Sequence, residues 1–132
     1  MATIKRIEDI ESWKLGNELC SKIGKHIDEG KFKKKFRLID QMEGSSGSIM
    51  DNIAEGFERG TKGEFVLFLG YAKGSSGEFR FQLYRALSRG YINQSEFDEP
   101  YNLAIKISGL LQKFIEYLLK TEMAGSRKNF KR

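Results

Sequence analysis

The sequence contains few histidine and cysteine side chains, two types that act as catalytic nucleophiles, catalytic bases or metal ligands. The chain holds one histidine, His26, and one cysteine, Cys20. A di-iron site in a helical bundle needs Glu-x-x-His on two helices, and a serine hydrolase needs a histidine beside its nucleophile. The residue three before His26 is Ile23, and no Gly-x-x-x-x-Gly-Lys-Ser/Thr phosphate loop occurs. The sequence therefore predicts no enzyme, no metal site and no cofactor.

The lone cysteine and histidine have ordinary structural interpretations. Cys20 has no second cysteine for an intrachain disulfide, and it falls on the apolar side of its predicted helix. We expect it to be a buried small apolar residue rather than a reactive thiol. We expect His26 to be a solvated histidine near a helix end.

Positive charge is the remaining chemical feature. The formal net charge of +5 and the isoelectric point near 9.3 suit a polyanionic partner such as RNA or DNA. Helical spacing places Lys62, Lys73 and Arg80 on one stripe, which can follow a phosphate backbone. The candidate nucleic-acid-binding residues are Lys33, Lys34, Lys35, Arg37, Lys62, Lys73, Arg80, Arg85 and Arg89. The alternative is that these residues form ordinary solvated helix faces. No aromatic cluster is expected among them to contact bases.

Four segments with the 3.6-residue apolar repeat must position these side chains. They are expected at about Glu8–Glu29, Leu38–Glu58 and Thr61–Gly90, with the fourth beginning at Ser95 or Asp98 and ending near Glu122. The sequence predicts an all-α, single-domain, up-down-up-down antiparallel four-helix bundle over residues 1–122. Residues 123–132 are predicted to be a mobile basic tail.

Two of these helices show regular buried seams. The first is expected to bury Trp13, Gly16, Cys20, Ile23 and Ile27, and the fourth Ala104, Ile107, Leu111, Phe114 and Leu118. Pro100 favours an irregular first turn in the fourth helix, because proline removes a backbone hydrogen bond.

The location of the protein is also predicted from apolar runs. No run approaches the ~20 residues that cross a bilayer. The N-terminus lacks the apolar core of a signal peptide, so we expect a cytoplasmic protein with no membrane partner.

A hinge joins the predicted second and third helices. Gly56 and Gly60 are expected to take positive φ where the helix stops. Thr61 and Glu64 have the spacing of a capping box, which begins the next helix. The predicted hinge residues are Asn52, Glu55, Gly56, Gly60, Thr61 and Glu64.

Two polar hinge residues have competing interpretations. We expect Asn52 to satisfy backbone groups near the helix end or to bridge to the neighbouring helix. Glu55 is expected to cap or fix the hinge. The alternative for Glu55 is a contact to a partner or a catalytic acid.

The third helix has a second apolar face, on the side opposite its core. Helical spacing places Phe65, Phe68, Ala72, Phe79, Leu83 and Ala86 on its core side. Glycine in a helix costs ~1 kcal/mol relative to alanine, so three aligned glycines on the opposite side need a compensating reason. Close approach of another subunit's helix is such a reason. The alternatives are contact with a helix of the same chain, or a bend. The predicted oligomer interface is Leu67, Gly70, Gly74, Gly77 and Phe81.

Three stretches carry a family resemblance. Asn52-Ile-Ala-Glu-Gly-Phe57, Glu64–Ser75 and Gly90-Tyr-Ile92 resemble the four-helix-bundle family of proteins encoded in intervening sequences of bacterial 23S rRNA genes. The accessory variability determinant protein of diversity-generating retroelements resembles the same family. The similarity runs from about Ile10 to about Leu119. It implies a four-helix protomer, a barrel-like homopentamer and a nucleic-acid-binding role without catalysis.

The second helix departs from the family pattern. Members commonly carry basic residues shortly after the position of Gln41, whereas this chain has Met42-Glu43-Gly44, and Asp51 stands where proline is common. Both changes add acid, so we expect nucleic acid at helix three, the Lys31–Arg37 loop and the tail. The prediction is a non-catalytic, oligomeric RNA- or DNA-binding scaffold. The alternative is a protein–protein interaction module serving a partner enzyme such as a reverse transcriptase.

Overall fold

Four helices make up almost all of the structure, a computed structural model that describes residues 4–121. They are α1 (Glu11–Asp28), α2 (Phe36–Arg59), α3 (Lys62–Ser88) and α4 (Gln94–Lys120), with a short 3-10 turn at Ile7–Asp9. This part of the chain contains no strand, so the all-α prediction is confirmed. The predicted tail at 123–132 lies outside the described residues.

Helices α2 and α3 pack with their residues in opposite order. Near the start of α2, Gln41 accepts a hydrogen bond from Arg85 near the end of α3, at 2.9 Å. Near the end of α2, Gly56 lies against Phe68 near the start of α3. The early part of α2 therefore lies beside the late part of α3.

The contacts between α3 and α4 also run in opposite order. The Phe65 and Phe114 rings meet edge to face, with centroids 5.2 Å apart. Further along α3, the Ser76 hydroxyl donates to the Ala104 carbonyl at 3.0 Å. The late part of α4 therefore faces the early part of α3.

The core confirms most of the predicted apolar faces and corrects one. The α4 seam from Ala104 to Leu118 is buried as predicted, and so are five of the six α3 core residues, Phe68 being half-buried. On α1 the buried residues are instead Ser12, Gly16, Leu19 and Ile23. Both candidate stripes share Gly16 and Ile23, so periodicity could not separate them.

Cys20 accordingly lies beside the α1 seam and not in it. It is half-buried, whereas the sequence predicted full burial. Burial raises the pKa of the Cys20 thiol above its usual value. The thiol therefore stays protonated and weakly nucleophilic, which agrees with the expectation of an unreactive cysteine.

The start of α4 differs from the expectation. The cap is Asn93, whose side chain accepts from the Glu96 backbone N–H at 2.8 Å while the Glu96 carboxylate accepts from the Asn93 N–H at 2.8 Å. This reciprocal pair satisfies two backbone donors and fixes the first turn. Pro100 is therefore inside a helix, and the predicted irregular first turn is wrong. Its ring is buried, so apolar packing offsets the backbone bond that it removes.

The turn between α2 and α3 confirms Gly60 and corrects Gly56. Gly60 has φ of 84° and ends α2, as predicted for a glycine cap. Gly56 is helical and buried, and it needs no positive φ. A Cβ built on it would stand 2.7 Å from Phe68 Cβ. Gly56 is therefore required for close helix packing and not for chain reversal.

Candidate nucleic-acid interface

The loop between α1 and α2 holds a cluster of lysines away from the core. Phe32 is buried, 1% exposed, and anchors the loop. Lys33 and Lys34 follow with φ of 51° and 60°, a left-handed conformation that costs non-glycine residues free energy. The backbone N–H of Lys35 then donates to the Phe32 carbonyl at 2.9 Å and closes the turn. The anchored turn thus directs exposed lysines to solvent at the start of α2.

This loop and the end of α3 together line a groove of about 540 Å³. The two segments are brought together by the opposite order of α2 and α3. Five of the lining residues are cations, and no carboxylate is among them. We call this surface the cationic groove. Its lining residues are Lys34, Lys35, Phe36, Arg37, Leu38, Tyr84, Arg85, Ser88, Arg89 and Tyr91.

Two of the groove cations are held in place by neutral partners. Arg85 donates to the Gln41 side-chain oxygen at 2.9 Å. The Lys35 ammonium lies 5.8 Å from the centre of the Tyr91 ring. Neither partner carries a negative charge, so the groove keeps the attraction of these cations for an anion.

Aromatic rings stand among these cations, which corrects the expectation that none would. Phe36 is 66% exposed and Tyr84 is 45% exposed. The Tyr84 ring packs on those of Phe97 and Tyr101, with centroids 4.9 and 5.4 Å away. The sequence does place Phe36 and Tyr84 next to cations, at Arg37 and Arg85. What it does not show is that the two segments meet.

The other predicted cations lie outside the groove. Lys62 at the start of α3 donates to the Thr121 carbonyl at 3.2 Å, and Lys73 donates to the Gln112 side-chain oxygen at 2.7 Å. Lys33 is exposed beside the groove lining. Arg80 is half-buried, and its Nε is buried with no hydrogen-bond partner within residues 4–121. The predicted stripe of Lys62, Lys73 and Arg80 is thus partly committed to contacts within the chain.

The hinge residues make structural contacts. The Thr61 hydroxyl accepts from the Glu64 N–H at 3.2 Å, which confirms Thr61 as the cap of α3. Arg59 pairs with Glu55 at 2.7 Å and with Glu64 at 3.1 Å. Hydrogen bonding, first to Glu55 and then to Glu64, raises the pKa of Arg59. The sequence prediction did not include Arg59, and this double pair ties the end of α2 to the start of α3.

Asn52 also has a local role. Its side-chain amide donates to the Ser48 carbonyl one turn earlier, at 2.8 Å. This bond satisfies a backbone acceptor within α2. It agrees with the expected use of the Asn52 amide on backbone groups.

The outer face of α3 that carries the glycines is exposed, and the exposed side chain of Glu78 lies on it one turn beyond Gly74. Within the described residues 4–121, a Cβ added at Gly70 or Gly74 would meet no neighbouring atom within 4 Å. Contact with another helix of this chain therefore does not explain these two glycines. At half-buried Gly77 an added Cβ would lie 3.6 Å from the Arg80 guanidinium. We call this surface the glycine face. Its exposed apolar residues are Leu67, Tyr71 and Phe81, at 49%, 52% and 69%.

The described part of the chain shows neither a metal centre nor a membrane-spanning helix. No group of three or more histidine, cysteine, aspartate or glutamate side chains there is arranged to hold a metal ion. None of its helices is long and apolar enough to cross a membrane.

Comparison with known proteins gives a family and a fold. A family model described as "23S rRNA-intervening sequence protein" matches residues 8–113. A crystal structure from Bacteroides thetaiotaomicron, of a protein with unknown function from the S23 ribosomal protein family, is similar at a TM-score of 0.74. The alignment covers 80% of this chain and 98% of that one, at 22% identity, which shows a shared fold alone. No curated protein sequence matches this chain significantly.

Proposed function

Because this chain belongs to the family of 23S rRNA-intervening sequence proteins, we propose that it is a non-catalytic, oligomeric scaffold that binds RNA or DNA. The observation that carries the proposal is the cationic groove, with five cations and no carboxylate in its lining. Phosphate groups are the ligands that such a surface attracts most generally. We place this activity in the cytoplasm, without a cofactor or metal.

Charge arrangement supports a phosphate contact more strongly than net charge does. A net charge of +5 is modest, but the groove gathers five cations from two segments that are far apart in sequence. Concentrated charge raises the local potential and the rate of encounter with an anion. Lys62 and Lys73 are expected to contribute less, because their ammonium groups already donate within the chain.

Assembly is the second part of the proposal. The opposite order of contacting residues between α2 and α3, and between α3 and α4, supports an up-down-up-down antiparallel bundle. The glycine face supports self-association of this bundle, because its glycines are open and flanked by exposed apolar side chains, and we propose a homopentamer as the assembly. A ring would repeat the cationic groove in every subunit, and several linked sites bind a long polyanion more tightly than one site does.

A protein–protein interaction module serving a partner enzyme, such as a reverse transcriptase, is the second candidate function. The exposed apolar side chains of Leu67, Tyr71 and Phe81 favour it, because apolar patches of this kind mark protein contacts. The two candidates differ in what they require of the groove. Only the nucleic-acid scaffold requires its cations to contact phosphate.

A binding titration separates the two candidates. The purified protein is titrated against a structured RNA and against duplex DNA, each at a low and a high salt concentration. The proposal predicts binding at low salt that weakens steeply as salt rises, because counterions are released from the nucleic acid. Absence of binding to either nucleic acid at low salt, together with a protein partner that survives nuclease treatment, would favour the interaction module.

A further inference from the structure

We infer that the cationic groove binds single strands in preference to duplexes, with unpaired bases stacked on Phe36 and Tyr84. This inference rests on the proposed nucleic-acid-binding function and names the form of nucleic acid that the groove accepts. It follows from the arrangement of the rings and not from the charges alone.

The rings of Phe36 and Tyr84 are both exposed to solvent. Phe36 begins α2 and keeps 66% of its surface in water, and Tyr84 on α3 keeps 45%. Large aromatic side chains are normally buried, since they carry much of the apolar area of a protein. Both rings line the same groove, so they offer flat apolar surfaces to one ligand.

The Tyr84 ring is held in place by aromatic contacts with α4. Its ring packs on Phe97 and Tyr101, and the Phe97 and Tyr101 rings are themselves stacked at 4.8 Å. Phe97 is buried, 5% exposed, so this support belongs to the core. A ring fixed in this way loses little conformational freedom when a planar ligand stacks on it.

Each of the two exposed rings has a cation next to it in the chain. Phe36 lies between Lys35 and Arg37 in the chain, and Tyr84 precedes Arg85. Single-strand-binding surfaces combine aromatic rings that stack bases with cations that follow the backbone. The groove volume of about 540 Å³ is in the range of pockets that hold small planar ligands, ~300–1,000 Å³.

A duplex cannot use the two rings, because its base faces are already covered. In a duplex the base faces are stacked on one another, so a ring reaches them only after the strands are opened. The groove cations can still contact duplex phosphates, but the rings then gain nothing. Stacking one base on an aromatic side chain changes affinity by roughly fivefold to 160-fold. Single strands should gain this factor and duplexes should not.

The test measures binding by fluorescence anisotropy with four labelled probes. These are a single-stranded RNA of about 12 nucleotides, the same RNA annealed to its complement, and the two DNA probes of the same sequence. The RNA and DNA arms show which sugar the groove accepts. Each probe is titrated with wild type, Phe36→Ala, Phe36→Tyr and Tyr117→Ala.

The inference predicts that wild type binds the single strands more tightly than the duplexes. Phe36→Ala should weaken single-strand binding by fivefold or more, leave duplex binding unchanged and keep the salt dependence, since no phosphate contact is lost. Phe36→Tyr should restore affinity. Tyr117→Ala removes an exposed ring of α4 that belongs neither to the groove lining nor to the glycine face, and it should bind as wild type does.

Three other outcomes would contradict the stacking inference, the preference for single strands or the proposed function. If wild type binds nucleic acid but Phe36→Ala binds single strands equally well, the stacking inference is wrong and the proposed function stands. If duplexes bind as tightly as single strands and both lose affinity equally in Phe36→Ala, the preference is wrong. If wild type binds no probe at low salt, the proposed function and the inference both fail. Circular dichroism confirms that each variant is helical, and Phe36→Leu replaces Phe36→Ala if that variant is not.

Discussion

Gly56 of α2 lies so close to α3 that a Cβ at this position would stand 2.7 Å from Phe68 Cβ. The Phe65 backbone would also be near, with its Cα at 3.4 Å. This contact sets how α2 and α3 pass each other near the hinge. At the far end of the same pair, the bond from Arg85 to Gln41 holds a groove cation in place. The packing at Gly56 and the position of the groove are therefore linked through two rigid helices.

The first prediction concerns this contact. Gly56→Ala should lower the free energy of unfolding by about 1–3 kcal/mol, because an added methyl group in a packed interface forces the helices apart. The matched control is Gly44→Ala in the same helix, where an added Cβ meets nothing within 4 Å. That change should stabilise by about 0.5–1 kcal/mol, the gain of alanine over glycine in a helix. Denaturant unfolding measures both, and equal stability of the two variants would show that α2 and α3 do not meet closely at Gly56.

The second prediction concerns the cap of α3. Thr61→Ala removes the hydroxyl that accepts from the Glu64 N–H, and it should cost about 1 kcal/mol in urea unfolding. Ser21→Ala, at an exposed position within α1, should be nearly neutral. A Thr61→Ala protein as stable as wild type would mean that α3 does not begin at this cap.

The third prediction concerns assembly. Gly74→Leu places a bulky side chain on the open glycine face, so it should dissociate the proposed pentamer while the helices stay formed. Gly44→Leu, at an open position on α2, should leave the oligomer intact. Sedimentation measures the mass of each variant. A wild type that is monomeric at tens of micromolar would contradict the assembly.

The fourth prediction concerns acid stability. The Lys31 ammonium lies 2.6 Å from the Glu96 carboxylate, and this hydrogen bond is the main cause that lowers the pKa of Glu96 from its usual value. A group with a lowered folded-state pKa stabilises the fold above its unfolded pKa and loses this contribution as pH falls through the folded value. The gap in unfolding free energy between wild type and Glu96→Gln should therefore be full at neutral pH and shrink in acid, where the carboxylate is protonated.

Urea unfolding at pH ~7 and pH ~3 measures this gap. Ser21→Ala, which changes an exposed position of α1 and removes no ionisable group, serves as the control and should show the same small gap at both pH values. A Glu96→Gln gap of the same size at both pH values would contradict the assignment.

Periodicity predicts the fold well where one apolar stripe dominates a helix. The α4 seam from Ala104 to Leu118 has a single clean stripe, and all of its residues are buried. On α1 two candidate stripes share Gly16 and Ile23. Which of the two stripes is buried depends on how α2 and α4 pack around α1. Asn93 was missed as a cap because the proline seven positions later suggested a later start.

The candidate site could be predicted only in its parts. Charge identified the cations of the α1–α2 loop and those at Arg85 and Arg89. Their meeting in one groove depends on the register of α2 on α3, which is set by long-range contacts such as Gly56 with Phe68. The same register brings Phe36 and Tyr84 among the cations. The spacing of residues within each helix does not determine the register of α2 on α3.

The most direct test of the nucleic-acid-binding function is the salt dependence of affinity when two groove cations are removed together. Arg85→Gln with Arg89→Gln removes two of the five groove charges, and Lys106→Gln with Lys113→Gln makes the same charge change at exposed positions on α4. For a single-stranded RNA, each lost phosphate contact should reduce the slope of log affinity against log salt by about 0.7. We predict a flatter slope and weaker binding for the groove variant, with the α4 variant close to wild type. Equal affinity and equal slope in the two double variants would contradict phosphate binding at the cationic groove.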